Sequence, residues 1–229
     1  LTDLGGAYTV DFEILEAQLR AACGPAPAEA CHVLAATALW WRIQIDPDSR
    51  ALDEEFSTAV EQAIRTTAAW TVRAPEDAEA WFYLGGAYAA RVQWLVLREE
   101  RLAAARDGKR IKDALERALA LDPGLDDAYF GIGLYRYYAD VAPTVAKILR
   151  FLLLLPGGNR AEGLAQMERA RRNGRLLKGE ADYQLQMIYL WYEQQTGRAL
   201  ALLRELARTH PRNPIFPTQM AEIEDVYRH

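Results

Sequence analysis

The stretch Trp81-Phe82-Tyr83-Leu84-Gly85-Gly86-Ala87-Tyr88 decides how the rest of this chain reads. Trp81, Leu84, Gly85 and Tyr88 hold four places of a repeating helical pattern. A glycine has no Cβ, so it lets a paired helix come close, and the large aromatic fills the gap to the next pair. A softened copy returns at Tyr129-x2-Ile132-Gly133. Proline precedes each copy by six residues, as Pro75 before Trp81 and Pro123 before Tyr129, and the step recurs from Pro211 to Pro217. Proline cannot continue a helix, so each of these marks an end, a short turn and a new start.

The second helix of each pair carries its own pattern. Ile111, Leu115, Ala118 and Pro123 share one spacing with Ala199, Leu203, Leu206 and Pro211, and Gly163, Met167 and Ala170 make a third copy ending at Asn173-Gly174. Together these residues resemble the tetratricopeptide (TPR) repeat, whose helix pair reads W-x2-L-G-x2-Y and then A…F…A…P. The resemblance covers residues 28 to 229. It implies an all-α fold, a TPR-like right-handed α-solenoid of about four to five irregular helix-pair repeats with a C-terminal capping helix. A finer resemblance covers 126 to 165, through Asp126-Asp127-Ala128-Tyr129-Phe130-Gly131-Ile132-Gly133-Leu134-Tyr135, Tyr137-Tyr138 to Pro143, Leu155-Pro156-Gly157-Gly158-Asn159-Arg160 and Gly163-Leu164. This text is similar to a bacterial TPR group and to eukaryotic outer-membrane-associated TPR proteins of the TTC39/Iml2 type. It implies an adaptor without catalytic residues.

The pattern predicts helices over 8–22, 28–45, 51–73, 77–106, 109–121, 126–140, 143–154, 160–173, 178–194, 197–209 and 215–227. They form one domain over 1–229: an N-terminal helix and bend (1–27), repeats at 28–75, 78–123, 126–175 and 178–211, an insertion at 143–158 and a capping helix at 214–229. Pro75 to Pro123 spans 48 residues against about 34 in the ideal repeat. The excess is expected in a first helix that overruns to Asp107-Gly108.

Composition agrees with helix nearly everywhere: Ala, Leu, Arg and Glu dominate, and serine occurs only at Ser49 and Ser57. The 229 residues carry 27 Lys+Arg against 32 Asp+Glu, a net charge of −5, which argues against bulk attraction to nucleic acid or an anionic membrane. The chain opens on Leu1 rather than Met, so it is expected to be processed or trimmed, with any targeting peptide out of view. The longest apolar run, Ile148 to Leu155, is far shorter than a membrane span and contains Arg150.

Cys23 and Cys31 enclose Gly24-Pro25-Ala26-Pro27. That bend is able to bring two helix ends together, so a disulfide and an exported or periplasmic setting are one expectation. Two small buried thiols and a cytoplasmic setting are the other. His32 adjoins Cys31, but neighbours in a helix point apart and no second His or Cys pair is near, so no metal is expected.

Catalytic signatures are nearly absent. Histidine occurs only at His32, His210 and His229; no serine sits in a nucleophile elbow, and Gly85-Gly86 lacks the lysine of a phosphate loop. Asp126 and Asp127 are read as acids opening a helix. No enzyme activity and no cofactor are expected.

First helices of a TPR superhelix line its concave face. The register set by Trp81 and Tyr129 places Phe82, Ala89 and Gln93 in the groove, then Phe130, Leu134, Tyr137 and Tyr138, then Asp182, Gln186, Tyr189 and Glu193; a further register adds Trp40, Trp41 and Gln44. Large rigid rings beside amides and acids suit a peptide or helix of a partner protein. Packing between repeats is the competing role for each ring, and the certain one for Trp81 and Tyr129.

Two segments remain. Val145 to Leu155 is apolar apart from Lys147 and Arg150 on one face. It is read first as a buried helix filling the superhelix, and second as a surface for a membrane or partner. Arg169, Arg171, Arg172, Arg175 and Lys178 cluster where a helix ends, and cations there are favoured by its dipole without any nucleic acid. The sequence thus points to a non-enzymatic module holding a protein segment in its groove. The alternative is a binder of a small apolar ligand or lipid in a cavity closed by 143–156.

Overall fold

Proline and short polar turns divide the chain into helices whose apolar residues recur at helical spacing, and the computed structural model of the protein is all-α. It describes residues 17, 19, 21, 23–142, 157–211, 213 and 215–227. The predicted helix at 143–154 and most of that at 8–22 lie outside the described residues. Among the described residues nine helices are named: α1 (Ala28–Ile43), α2 (Asp53–Arg73), α3 (Ala78–Leu97), α4 (Arg101–Leu121), α5 (Ala128–Val141), α6 (Arg160–Asn173), α7 (Lys178–Trp191), α8 (Thr196–Thr209) and α9 (Ile215–Tyr227).

Side-chain links fix their directions. Arg73 reaches Glu29 while Trp40 meets Phe56, so α1 and α2 are antiparallel. Trp70 stacks on Tyr83 at 6.0 Å and Asp53 accepts from Trp94 Nε1, so α3 returns along α2. Arg91 reaches Asp107 while Gly85 lies against Leu115, which sets α4 against α3. The same sense continues from α5 to α6, and α7 and α8 pack against each other. The odd-numbered helices also touch one another, α1 with α3 and α3 with α5.

Two apolar clusters hold the array. One joins α1 to α4 and the start of α5, around Phe56, Val60, Trp70 and Ile132. The other joins α5 to α9 around Tyr137, Met167, Leu185, Leu203 and Phe216, and Trp41, Leu176 and Leu177 pack against both. Burying each such side chain stabilises the fold by about 1.5–3 kcal/mol.

α5 and α6 approach each other backbone to backbone. A Cβ built on Gly133 would lie 2.7 Å from the Gly163 carbonyl oxygen, and one built on Gly163 would lie 2.6 Å from that of Gly133. Only a residue without a side chain fits either place, and the softened repeat signature contains one of the two.

The turn after α3 departs from the sequence reading. α3 stops at Leu97 rather than running to 106, and α4 passes straight through Asp107-Gly108. Glu99 sits in the left-handed region at φ 64°. The Glu100 N–H bonds the Leu95 carbonyl and the Glu99 N–H bonds that of Val96, which completes a Schellman end without its usual glycine. Arg98 secures the turn by donating to Asp53 and to the Pro47 and Ser49 carbonyls. Asp107, read as a terminator, is a buried helix residue bonded by Arg91 and Arg110. The extra length of this pair is therefore shared, with 20 residues in α3 and 21 in α4 against 14 in each of α5, α6, α7 and α8.

Candidate functional site

The proline-to-aromatic step has a polar counterpart. Trp81 Nε1 donates to the Pro75 carbonyl at 2.9 Å, and the Tyr129 hydroxyl donates to the Pro123 carbonyl at 3.3 Å. Arg117 and Arg169, each from the second helix of a pair, reach the same two carbonyls. Arg169 also lies 3.9 Å above the Tyr129 ring. Trp81 and Tyr129 are thereby committed to holding helices together.

With those rings spent, the odd helices leave a groove of about 590 Å³ between them. α1 contributes Val33, Thr37, Trp40 and Trp41; α3 contributes Phe82, Gly86, Ala89 and Gln93. α5 adds Phe130, Leu134 and Tyr138, and α7 adds Glu180 and Gln184, while Ile111 and Leu115 of α4 close the floor. The wall is mainly apolar. Trp40 meets Phe56 at 6.4 Å and Trp41 sits edge-on to Tyr183 at 5.9 Å, so both indoles are braced from behind. Tyr138 packs edge-on to Tyr137 and Tyr192 at 5.6 Å each, and its burial pushes the phenol up to about 12, which keeps it neutral.

Of the ten residues expected to contact a partner, the groove brings together Trp40, Trp41, Phe82, Gln93, Phe130 and Tyr138. Ala89 and Leu134 join them. The remaining four sit elsewhere, packed between helices. Tyr137 is fully buried and donates to Glu193 at 2.6 Å. Glu193 also accepts from Arg160 Nε and Nη2. That guanidinium, aided by the Tyr137 hydroxyl against the opposing effect of burial, holds the Glu193 carboxyl below its ordinary range. Tyr189 is buried, donates to Glu168 at 2.7 Å and lies under Arg198; burial first, and the Glu168 bond second, raise its phenol to about 12. Gln186 is buried in the same layer, and Asp182 is bonded by Arg171 and Lys178.

The α7 displacement has one cause. The residues that face the groove are Glu180 and Gln184, whereas those expected were Asp182 and Gln186. A shift of two residues turns a helix by about 200°, so the expected set falls on the core side. Neither residue carries a local signal that distinguishes the two registers.

The acids and cations outside the groove are occupied structurally. Asp127 does not cap its own helix; its carboxylate accepts the backbone N–H groups of Arg175, Leu176 and Leu177, ordering the turn into α7. Asp126 pairs with Arg169 at 2.6 Å, and Arg172 pairs with Glu168, so most of the basic cluster is neutralised in place. His32 lies within hydrogen-bond distance of Thr66 and Gln62. Among the described residues no group of three His, Cys, Asp or Glu is placed to hold a metal ion. No helix of the described residues is long and apolar enough to cross a membrane. Cys23 and Cys31 are joined in a disulfide with Cα atoms 5.7 Å apart. The apolar insertion 143–156 lies outside the described residues.

No protein-family model matches this chain, and no curated protein matches it.

Proposed function

We propose that this chain is a TPR-like helical-repeat protein and a non-enzymatic binding module, whose groove between α1, α3, α5 and α7 takes an apolar segment of a partner protein. The observation that carries the reading is the groove itself, walled by Trp40, Trp41, Phe82, Phe130 and Tyr138 from three successive odd helices. The repeated proline-carbonyl contacts of Trp81 with Arg117 and Tyr129 with Arg169 support the repeat assignment. Rigid rings already ordered by their neighbours lose little entropy on binding. Ala89→Phe, which sets a ring into the groove, tests this. Partner capture from the native cell should fail while helicity and thermal unfolding stay close to wild type; capture at the wild-type level would remove the groove from the function.

A small apolar ligand or lipid is the second reading, favoured by a groove volume of about 590 Å³, inside the usual range for ligand pockets. Native mass spectrometry of the purified chain separates the two. A bound lipid that Ala89→Phe displaces would select this reading over the peptide.

The disulfide supports an exported setting, because such bonds persist in oxidising compartments. Counting free thiols on protein taken from its native compartment decides it. Two reactive thiols would place the chain in a reducing one.

A further inference from the structure

The charge of the groove narrows its occupant. Among the described residues that line it there is no Lys, Arg or His. Its carboxylates are Asp127, which is taken up by three backbone N–H groups, and Glu180. Gln93 on α3 and Gln184 on α7 are half-buried in this wall, and neither side-chain amide has a hydrogen-bond partner among the described residues.

These facts have opposite consequences for different ligands. A carboxylate entering an apolar groove gives up its hydration and meets no cation among the described lining residues to offset the loss. An amide covered by a ligand must be given both an acceptor for its N–H₂ and a donor for its carbonyl, or the complex loses about 1–3 kcal/mol for each unpaired group. A peptide backbone unit offers both at once. An alkyl chain offers neither.

Granted the groove reading above, we infer that the occupant is an apolar peptide segment free of Asp and Glu, held at Gln93 and Gln184 by amide-to-backbone hydrogen bonds and tolerant of Lys or Arg at its flanks. Specificity here is exclusion of anions by an uncompensated apolar wall, with neutral amides setting the register.

Three capped synthetic peptides test it, sharing one apolar core and flanked by Gln, Lys or Glu, each carrying an uncharged fluorophore and read by anisotropy against the whole chain. The Gln- and Lys-flanked peptides should bind, and the Glu-flanked peptide should bind at least about tenfold more weakly. Gln93→Ala and Gln184→Ala should each weaken the Gln-flanked peptide about fivefold, and Gln93→Lys should bring the Glu-flanked peptide toward the affinity of the others. All binding should be lost in Ala89→Phe. If the three peptides bind equally and Ala89→Phe still blocks them, the charge inference fails while the groove stands. If no peptide binds, or binding survives Ala89→Phe, both fail. Preferential uptake of a fluorescent fatty acid over every peptide would also overturn the inference.

Discussion

Gly133→Ala should destabilise the protein, although the same change in most helices stabilises it. The added Cβ would sit 2.7 Å from the Gly163 carbonyl oxygen, 2.9 Å from Met167 Cγ and 3.0 Å from Met167 N. Two of these three neighbours are backbone atoms of α6, so relief requires α5 and α6 to move apart rather than a side chain to turn. Overpacking of this kind costs about 1–3 kcal/mol, against a helix-propensity gain for Ala over Gly of about 1 kcal/mol. The net loss is up to about 2 kcal/mol, which for a chain of this size lowers Tm by up to about 8 °C. Gly108→Ala is the internal control: it lies mid-helix in α4 with nothing within 4 Å of its added Cβ, so it should gain about 0.5–1 kcal/mol. Gly163→Ala meets the same contact from the other side, so Gly133→Ala and Gly163→Ala together should cost less than their sum. Urea unfolding followed by circular dichroism reads all four proteins. A Gly133→Ala protein as stable as Gly108→Ala would refute the close α5–α6 contact.

Tyr137→Ala and Tyr189→Ala should each cost about 3–5 kcal/mol in urea unfolding, as for buried aromatics generally, since their rings are 0% and 2% exposed. Loss of binding in either would then report unfolding rather than a lost contact. Asp107→Ala should cost about 2–4 kcal/mol by leaving Arg91 without its buried partner, whereas an exposed pair such as Lys109–Asp113 should cost under about 1 kcal/mol by the same assay. Acid should weaken the fold through Glu193, whose carboxyl is held low first by Arg160 and then by Tyr137. A depressed folded value contributes stability that is complete above the unfolded value near pH 4.3 and disappears as the pH falls through the folded one. Unfolding midpoints measured from pH 6 to 3 should therefore drop, and drop less steeply in Glu193→Gln. Reducing Cys23–Cys31, eight residues apart, should lower stability by about 2.5 kcal/mol, measured by thermal unfolding with and without a thiol reductant.

What the sequence discloses depends on how local the cause is. Trp81-x2-Leu84-Gly85 and its prolines were legible because helix ends and close helix contacts are set by residues that cannot do anything else. Phe82, Ala89 and Gln93 of α3 and Phe130, Leu134 and Tyr138 of α5 line the groove as that register places them, while Trp40 and Trp41 of α1 came from a separate one. The break at Glu99 was not legible, because a Schellman end normally announces itself with glycine, and here the contacts of Arg98 with α2 and the preceding loop hold a non-glycine residue in place. Asp107-Gly108 misled for the mirror-image reason: it looks like a helix end, and its role depends on Arg91 sixteen residues away. Tyr137 and Tyr189 have the size and helical position of ligand contacts, yet their hydroxyls meet Glu193 and Glu168 across 56 and 21 residues. Asp127 likewise orders a turn 48 to 50 residues later. None of these partners is visible in a local window.

Binding is proposed to take place in the groove between the odd helices. Photo-crosslinking from a reactive residue at Gln93, compared with one at the exposed Glu116 on α4, measures this in the native cell. One partner should be joined at Gln93, absent at Glu116 and abolished by Ala89→Phe. Crosslinks that form at Glu116 and not at Gln93, or that survive Ala89→Phe, would contradict it.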